Sequence, residues 1–446
     1  MLTLEEVAAW TGGQAHGEAR VTGVSTDSRT LRAGELFVAL RGPRFDGHAH
    51  VAQAREAGAA AVLLENGADA AGLPAVTVVD TGQGLLDLGA GWRCRQPARV
   101  VAVTGSCGKT TVKDMLAAIL TEAFGEAVLT THGNLNNTVG VPLTLLRLTP
   151  AHRFAAVEVG INHPGEMVRL AAAVAPDVAV ITNAEAAHLE GLGSVEGVAA
   201  EKGRLFDGLR AEGVAVVNAD SPFAAQWRAA APSAVLTFGL EAAADVAGTW
   251  EPCAGGGRLG LRTADATAEA TLALPGRHNA ANALAAVAAA RALGLSLAAA
   301  AAGVARAAAP AGRLEARPGR GGTTVLDDTY NANPASLAAA LAVLVEDAGR
   351  TWLVLGDMGE LGSDGAAWHA RAGAQAHALG VDRLLAVGPL AAHAAEAFGA
   401  DGRQVVDWEA AGDILDEEAA SGDRILIKGS RAMRLEQLVA RLAGEG

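Results

Sequence analysis

One stretch constrains this chain more than any other. Residues 101–116 read VAVTGSCGKTTVKDML, an apolar strand pattern that turns at Gly105-Ser106-Cys107-Gly108-Lys109-Thr110-Thr111 and runs out as a helix pattern. A loop of this kind belongs between a buried parallel strand and the helix covering it, which commits the surrounding chain to an α/β sheet. Glycines let backbone N–H groups turn inward around phosphate oxygens, and the helix N-terminus adds positive potential. Lys109 can reach β- and γ-phosphates, and Thr110 can ligate Mg²⁺. The general phosphate-loop pattern places glycine at position 103, where this chain has Val103, so the match is to a shortened form, T-G-x-x-G-K-T-T. The bland alternative is an ordinary strand–helix turn with a chance Lys-Thr pair. Strand, turn, Lys-Thr-Thr and helix all agreeing argues against it.

The flanking sequence repeats the rhythm. Apolar runs occur at VVAVT, FAAVEV, VAVIT and VAVVN, each followed by turn residues, and GRHNAANALAAVAAARALG reads as a strong helix. Alternation of short apolar runs with helical stretches predicts a parallel sheet covered on both faces. Before Pro97, ELFVAL and AAAVLLE read as strands with HVAQAREAGA as a helix between them. After the break at APAGRLEARPGRGG, the rhythm restarts with TTVLDD, WLVLGD, RLLAVG and RILIKGS, a Rossmann-like unit without the dinucleotide glycine fingerprint. A chain of 446 residues exceeds one ordinary core, so the expected units are 1–97, 98–312 and 313–446.

Charge and cysteines narrow the function. With 35 basic and 49 acidic residues the formal net charge is −14, which argues against a broad nucleic-acid or anionic-membrane surface. The N-terminal MLTLEEVAAWTGG lacks the basic start and apolar run of a signal peptide. The Ala-rich stretch between Arg291 and Arg306 is too short to span a bilayer. Cys94, Cys107 and Cys253 are few and far apart, which fits a reducing cytoplasm rather than a disulfide framework or zinc cluster. No zipper or long apolar surface stripe is readable, so a monomer is expected.

A triphosphate needs a metal, and acids at strand ends are where to look. Glu158 closes FAAVE and would open on the same crevice as the phosphate loop. His188 follows VAVIT; taken alone it is a structural or surface histidine. Asp177 and Glu190 read as surface charges, and Lys202, taken alone, as a solvated helix lysine.

Together, VTGSCGKTT, EVGINHPGE, TNAEAAHLEGLGS, EKGRLF, GRHNAANALAA and IKGSRAMRLE resemble the Mur ligase family, the ATP-dependent amide ligases of peptidoglycan precursor synthesis. The resemblance spans essentially the whole chain. GNLNNTVGVPLTLL, DDTYNANPASLAAAL and GDMGELG look most like the branch that joins D-Ala-D-Ala to UDP-MurNAc-tripeptide. The tetrapeptide Asp-Asn-Pro-Arg, which marks the diaminopimelate-adding branch, is absent. Other readings weighed are that branch, a folylpolyglutamate synthetase-like ligase, and a P-loop regulatory ATPase.

The resemblance implies three domains: an N-terminal one for the uridine nucleotide sugar, a central one for ATP, and a C-terminal one that closes and helps hold the dipeptide. It implies that Lys109 and Thr110 are the phosphate lysine and the metal hydroxyl, and that Glu158 and His188 are metal ligands for Mg²⁺, with two ions expected. Lys202 matches a lysine carbamylated in several relatives, serving the metals. His278, Asn279 and Asn282 fall where the nucleotide base is met, and Arg313 and Asp328 match contacts to phosphate and ribose. Ser28, Arg29, Asp46, Gly47 and His48 would hold the uridine nucleotide. Asn134, Asn136, Asn137 and Thr138 would line the sugar-peptide channel, and Tyr330 and Asn331 are further substrate contacts. Lys428, Ser430 and Arg431 resemble a closing-side loop. Two positions depart from the pattern: Cys107 stands where many relatives carry Asn, and Arg204 where many carry an acid. Cys107, at a helix N-terminus beside Lys109, is expected to favour its thiolate.

Overall fold

The computed structural model describes residues 1–43, 45–187, 189–253 and 255–444. Its three large sheets follow one another along the chain. The first has five strands in the order Gln14–His16, Ala75–Val78, Ala61–Glu65, Leu36–Val38, Val24–Ser25, all parallel except the first pairing. ELFVAL and AAAVLLE thus supply neighbouring strands, and the helix Val51–Glu56 lies between them in sequence.

The central sheet has nine strands. Arg99–Thr104 lies between Phe154–Glu158 and Val178–Ile181, with Val128–Thr130 outermost beyond Phe154–Glu158. On the other side follow Val214–Asn218 and Ala234–Gly239, still parallel. Val100, Val101, Ala102 and Val103 are all fully buried, so a run without alternation is what a strand covered on both faces requires. One face is covered by the helix Lys109–Phe124, which packs on Arg277–Ala292 and Leu297–Val304. Alanine makes this contact close: Ala283, Ala285, Ala286 and Ala288 are fully buried, and a Cβ on Gly303 would fall 2.4 Å from Ile119 Cα.

The sheet then continues through Val246–Cys253, Gly256–Arg262 and Thr267–Leu272, the last two pairings antiparallel. The strand–helix rhythm gave no sign of this ribbon. Its strands carry polar and exposed positions among the buried ones, which weakens the apolar-run signal.

The C-terminal sheet has six strands in the order Glu315–Pro318, Thr324–Asp328, Arg424–Lys428, Thr351–Gly356, Arg383–Val387, Gly402–Val405, parallel except for the first pairing. Leu353 and Leu355 face one apolar layer, Trp352 and Val354 the other. No helix among the described residues is long and apolar enough to cross a membrane.

Helix Thr81–Arg95, N-capped by Asp80, joins the first sheet to the second. Its Arg93 is buried and corrects one expectation. The guanidinium donates to the carbonyls of Val174 and Ala175 and, at 3.0 Å, to Asp177 Oδ2. Asp177 also accepts the Val100 N–H at 2.7 Å. Asp177 is therefore not a surface charge but the anchor of a buried cation. Glu190 is exposed, as read from the sequence.

Candidate functional site

The phosphate loop is glycine-dependent at two points. Gly105, at φ 156°, would place a Cβ 1.8 Å from Thr182 Oγ1, and Gly108, at φ 82°, would place one 2.2 Å from Asn282 Oδ1. The next strand-end braces the loop from behind. Thr182 Oγ1 donates to the Cys107 carbonyl at 2.6 Å, and Asn183 Oδ1 accepts the Cys107 N–H at 2.9 Å. The Ser106 N–H goes to the Asn183 carbonyl. With those two N–H groups engaged, the donors left to a phosphate are at the head of helix Lys109–Phe124, where the first turn has no intrahelical partners.

Lys109 arches over the loop and donates to the Gly105 carbonyl at 2.8 Å. Burial lowers its pKa, partly opposed by the Glu158 carboxylate. Beside it, Thr110 Oγ1 donates to Glu158 Oε2 at 2.8 Å, and Asn136 Nδ2 donates to Glu158 Oε1 at 2.7 Å. Glu158 is buried and closes its strand in register with Val103. From the C-terminal side Arg313 Nη2 reaches Thr110 Oγ1 at 2.9 Å, its guanidinium stacked 4.1 Å over the Tyr330 ring. Lys109, Thr110, Glu158, Asn136, Arg313 and Tyr330 are thus one constellation. Thr110, Arg313 and Tyr330 border a cleft of about 370 Å³ that Asn134 also lines. A smaller hollow of about 290 Å³ lies on the ribbon strands toward the opposite end of the nine-stranded sheet, far from this chemistry.

The remaining expected residues fall into distinct groups. Asn279 and Asn282 form a buried ladder, Asn282 Nδ2 donating to Asn279 Oδ1 and Asn279 Nδ2 to the Pro275 carbonyl, directly behind Gly108. His278 is held neutral, its pKa pushed down to about 4 by burial and by the Lys428 charge. Asp328 pairs with buried Lys428 at 2.5 Å, and Lys428 Nζ also donates to the Asn331 carbonyl at 2.9 Å. Thr111 is buried in the first helical turn. Asn137 is occupied locally, its Oδ1 accepting the N–H groups of Val139 and Gly140, with Thr138 half-buried beside it.

Lys202 is fully buried on helix Val195–Gly203. Its amine has no hydrogen-bond partner, and burial, with repulsion from Lys109, pulls its pKa far below the usual lysine value. It is not a solvated helix lysine. His188 lies outside the described residues. Among the described residues no group of three or more His, Cys, Asp or Glu is placed to hold a metal.

Cys107 corrects a second expectation. Burial pushes its thiol pKa up, outweighing the nearby Lys109 charge, so the thiol form is favoured. Its sulfur touches Asn333 of the C-terminal domain, with Asn333 Nδ2 at 3.4 Å. Arg204 pairs with Asp207 at 2.8 Å on the surface.

The N-terminal candidates cluster apart from the loop. His48 Nε2 accepts the Glu65 N–H, so its proton sits on Nδ1 and is donated to Asp46 Oδ1 at 2.6 Å. That bond, the His48 N–H and Arg41 hold the Asp46 carboxyl at about 2. A Cβ on Gly47 would fall 2.8 Å from the Leu40 backbone. Ser28 Oγ donates to Gln53 at 2.9 Å, and exposed Arg29 pairs with Asp27 at 2.6 Å.

Sequence reasoning missed Thr182, Asn183, Asn333 and the pairing of Lys428 with Asp328. A Thr-Asn dipeptide at the end of an apolar strand was the available signal for the first two.

A parallel sheet carrying a phosphate loop at a strand end, with a buried acid on the adjacent strand, defines a phosphate-loop nucleotide-binding protein. Comparison with known proteins makes the class specific. Residues 103–290 match the Mur ligase middle domain, 312–431 the Mur ligase glutamate ligase domain, and 20–83 the Mur ligase family catalytic domain. The UDP-N-acetylmuramoyl-tripeptide–D-alanyl-D-alanine ligase of Escherichia coli is 42% identical, over 100% of this chain and 99% of its own. A crystal structure of MurF from Acinetobacter baumannii superposes with a TM-score of 0.93 at 35% identity, covering 99% and 98% of the two chains. MurF ligase from Thermotoga maritima, in complex with ADP, does so with a TM-score of 0.84 at 26% identity, covering 96% and 98%. The chain belongs to the Mur ligase family.

Proposed function

We propose that this chain is an ATP-dependent amide ligase that joins D-Ala-D-Ala to UDP-MurNAc-tripeptide in peptidoglycan precursor synthesis, and so serves cell-wall formation and cell division. The observation that carries the chemistry is the constellation of Lys109, Thr110 and Glu158 with Arg313 and Tyr330 brought to it from the C-terminal domain. The 42% identity with the E. coli ligase over both full lengths carries the choice of substrates.

A carboxylate acylates poorly because its leaving oxide is strongly basic. In our reading the terminal carboxylate of the tripeptide attacks the γ-phosphorus of ATP, ADP leaves, and an acyl phosphate results. The amine of D-Ala-D-Ala then attacks the acyl carbon, phosphate leaves, and the nitrogen gives up a proton. Lys109 and the helix N–H groups would bear the charge on the transferring phosphoryl group. Asn136 fixes the Glu158 carboxylate, and Glu158 in turn orients the Thr110 hydroxyl. Asn279 and Asn282 brace the loop behind Gly108. Arg313 with Tyr330 would seal the cleft against water that hydrolyses an acyl phosphate.

The hard oxygens of Thr110 and Glu158 suit Mg²⁺, which when bound would spread phosphoryl charge. The partnerless amine of Lys202 suits carbamate formation, since a neutral amine is the form that adds CO₂. We assign the uridine sugar to residues 1–97 through Ser28, Arg29, Asp46, Gly47 and His48, ATP to 98–312, and closure to 313–446. The base would lie by His278, the ribose by Asp328, and the sugar-peptide channel along Asn134–Thr138. Monomeric action in the cytoplasm fits these soluble substrates.

The test is to supply ATP and tripeptides ending in diaminopimelate or lysine, with and without D-Ala-D-Ala, and to weigh the product. Phosphate release that ignores the dipeptide would favour a regulatory ATPase instead.

A further inference from the structure

The loop that leaves strand Thr351–Gly356 is pinned at several points. Its clasp is His369, fully buried on helix Gly365–Ala378. His369 Nε2 accepts the Met358 N–H at 2.9 Å, so the ring proton sits on Nδ1 and is donated to the Gly365 carbonyl at 2.7 Å. The second bond fixes the ring on its own helix. The first ties the start of the loop to that helix across 11 positions. Met358 and Leu361 are buried in the C-terminal core. Asp357 Oδ1 accepts the Ala391 N–H at 2.7 Å, and the Asp357 carbonyl accepts the Ser430 N–H at 3.0 Å.

Between these anchors Gly359 and Glu360 are exposed, and Glu360 takes a left-handed backbone at φ 62°. A non-glycine residue holds that conformation only where its surroundings over-determine it. The loop so shaped meets the central domain. A Cβ on Gly362 would lie 3.9 Å from Glu190 Cα, on helix Leu189–Leu192. A Cβ on Gly191 of that helix would in turn fall 2.1 Å from the carbonyl oxygen of Asn162, in the segment that leaves the Glu158 strand. The loop also acts on the phosphate lysine: burial lowers the Lys109 pKa, and the Glu360 carboxylate is among the charges that oppose this.

We propose that His369 is a positioning residue of the ligase reaction: its clasp holds loop 357–365 in the shape that docks on helix Leu189–Leu192 and so keeps water from the activated acyl group. This rests on the ligase reading above. An acyl phosphate has two fates. The dipeptide amine attacks the acyl carbon and an amide forms. Alternatively water attacks the same carbon, the bond to the phosphate oxygen breaks, phosphate leaves, and the added oxygen sheds its protons to regenerate the tripeptide carboxylate. The second fate consumes ATP without product, so excluding water decides the yield. Arg313 and Tyr330 close on Thr110 at one contact between the domains, and loop 357–365 closes at another. His369 has both ring nitrogens engaged inside its own domain, so it acts through the loop.

The experiment measures phosphate released per amide formed, with full-length protein, ATP, UDP-MurNAc-tripeptide and D-Ala-D-Ala. Unfolded molecules do neither reaction, so this ratio is independent of the folded fraction. It should be close to one in the wild type. In His369→Leu it should rise by roughly 2- to 10-fold, the factor expected when a buried hydrogen bond that shapes the loop is lost. KM for ATP should stay within about twofold. His369→Gln, whose amide offers one acceptor and one donor, should restore the ratio toward one. If the Leu variant does not fold, His369→Asn, which retains polar groups, takes its place. Glu360→Ala changes an exposed side chain, leaves the clasp intact and should also raise the ratio. A folded Leu or Asn variant that is less stable than the wild type but keeps its ratio makes His369 merely structural and overturns the proposal, as does a Gln variant that leaks as much as Leu. A wild type that forms no amide with D-Ala-D-Ala overturns the ligase reading itself.

Discussion

The sulfur of Cys107 lies 3.4 Å from Asn333 Nδ2, so a phosphate-loop side chain touches the residue that caps a helix in another domain. Asn333 Oδ1 accepts the Ser336 N–H, and the Asn333 N–H donates in return to Ser336 Oγ. The loop and the N-terminus of helix Pro334–Leu344 are thereby in register with one another.

Cys107 should be a poor nucleophile at neutral pH. Its thiol pKa is raised by burial, and reactivity follows the thiolate. Iodoacetamide at pH 7.5 should label exposed Cys94 and Cys253 first, with Cys107 lagging. Peptide mass mapping over time decides this; labelling of Cys107 ahead of the other two would contradict the packed thiol.

Lys109→Ala should abolish ligation while leaving the fold intact. The side chain spans the loop to the Gly105 carbonyl, and losing its charge at phosphoryl transfer costs on the order of 10²-fold or more in rate. Phosphate release and circular dichroism measured on the same preparation make the check. Near-normal turnover would remove the loop from the mechanism.

Lys202 should trade stability against activity. Its folded-state pKa is depressed, so the folded chain holds the amine neutral while the unfolded chain protonates it below about 10.4. Stability from this group is lost as pH falls from there toward the folded value, and at neutral pH the lysine is a net cost. In CO₂-depleted buffer Lys202→Met should therefore raise Tm while ligation is lost. Lys202→Ala should regain partial activity with added short carboxylates, and Lys202→Arg should stay inactive. Full activity in the arginine variant would exclude a carbamate.

His278 should make the fold acid-sensitive. Its pKa is lowered from 6.5 to about 4 by burial and by the Lys428 charge. The unfolded chain binds the proton first, so stability is full above pH 6.5 and declines as pH drops toward 4. Urea unfolding at pH 7.5 and pH 5 should show a smaller loss for His278→Gln than for the wild type. Equal losses would place the titration elsewhere.

The sequence showed the strands and the loop because both are local signals. An unbroken apolar run such as VVAVT and the Lys-Thr-Thr after it are set by neighbours in the chain. The braces were hidden because they are not local. Asn183 reaches Cys107 across 76 positions and Asn333 reaches it across 226, and each is an ordinary polar residue in its own segment. Asp177 was misread for the same reason: its partner Arg93 lies 84 positions away in a helix whose own composition gave no hint of a buried cation. Lys202 was legible through the family resemblance but not through its own segment, where it reads as a solvated lysine; the burial that leaves its amine without a partner is set by distant packing.

The buried guanidinium of Arg93 bears on how the molecule measures its substrate. It is bonded to Val174, Ala175 and Asp177, while Trp92 donates to the Leu148 carbonyl at 2.9 Å and Gly89 leaves room for Pro142. Helix Thr81–Arg95 is therefore riveted to the central sheet along its last two turns. The Asp46–His48 cluster and Thr110 then belong to one body, and the span between them is a fixed gauge. If the uridine is held at that cluster, as proposed above, a peptide one residue short would hold its carboxylate back from the phosphate loop however well its head is bound, and length itself would become a criterion of selection.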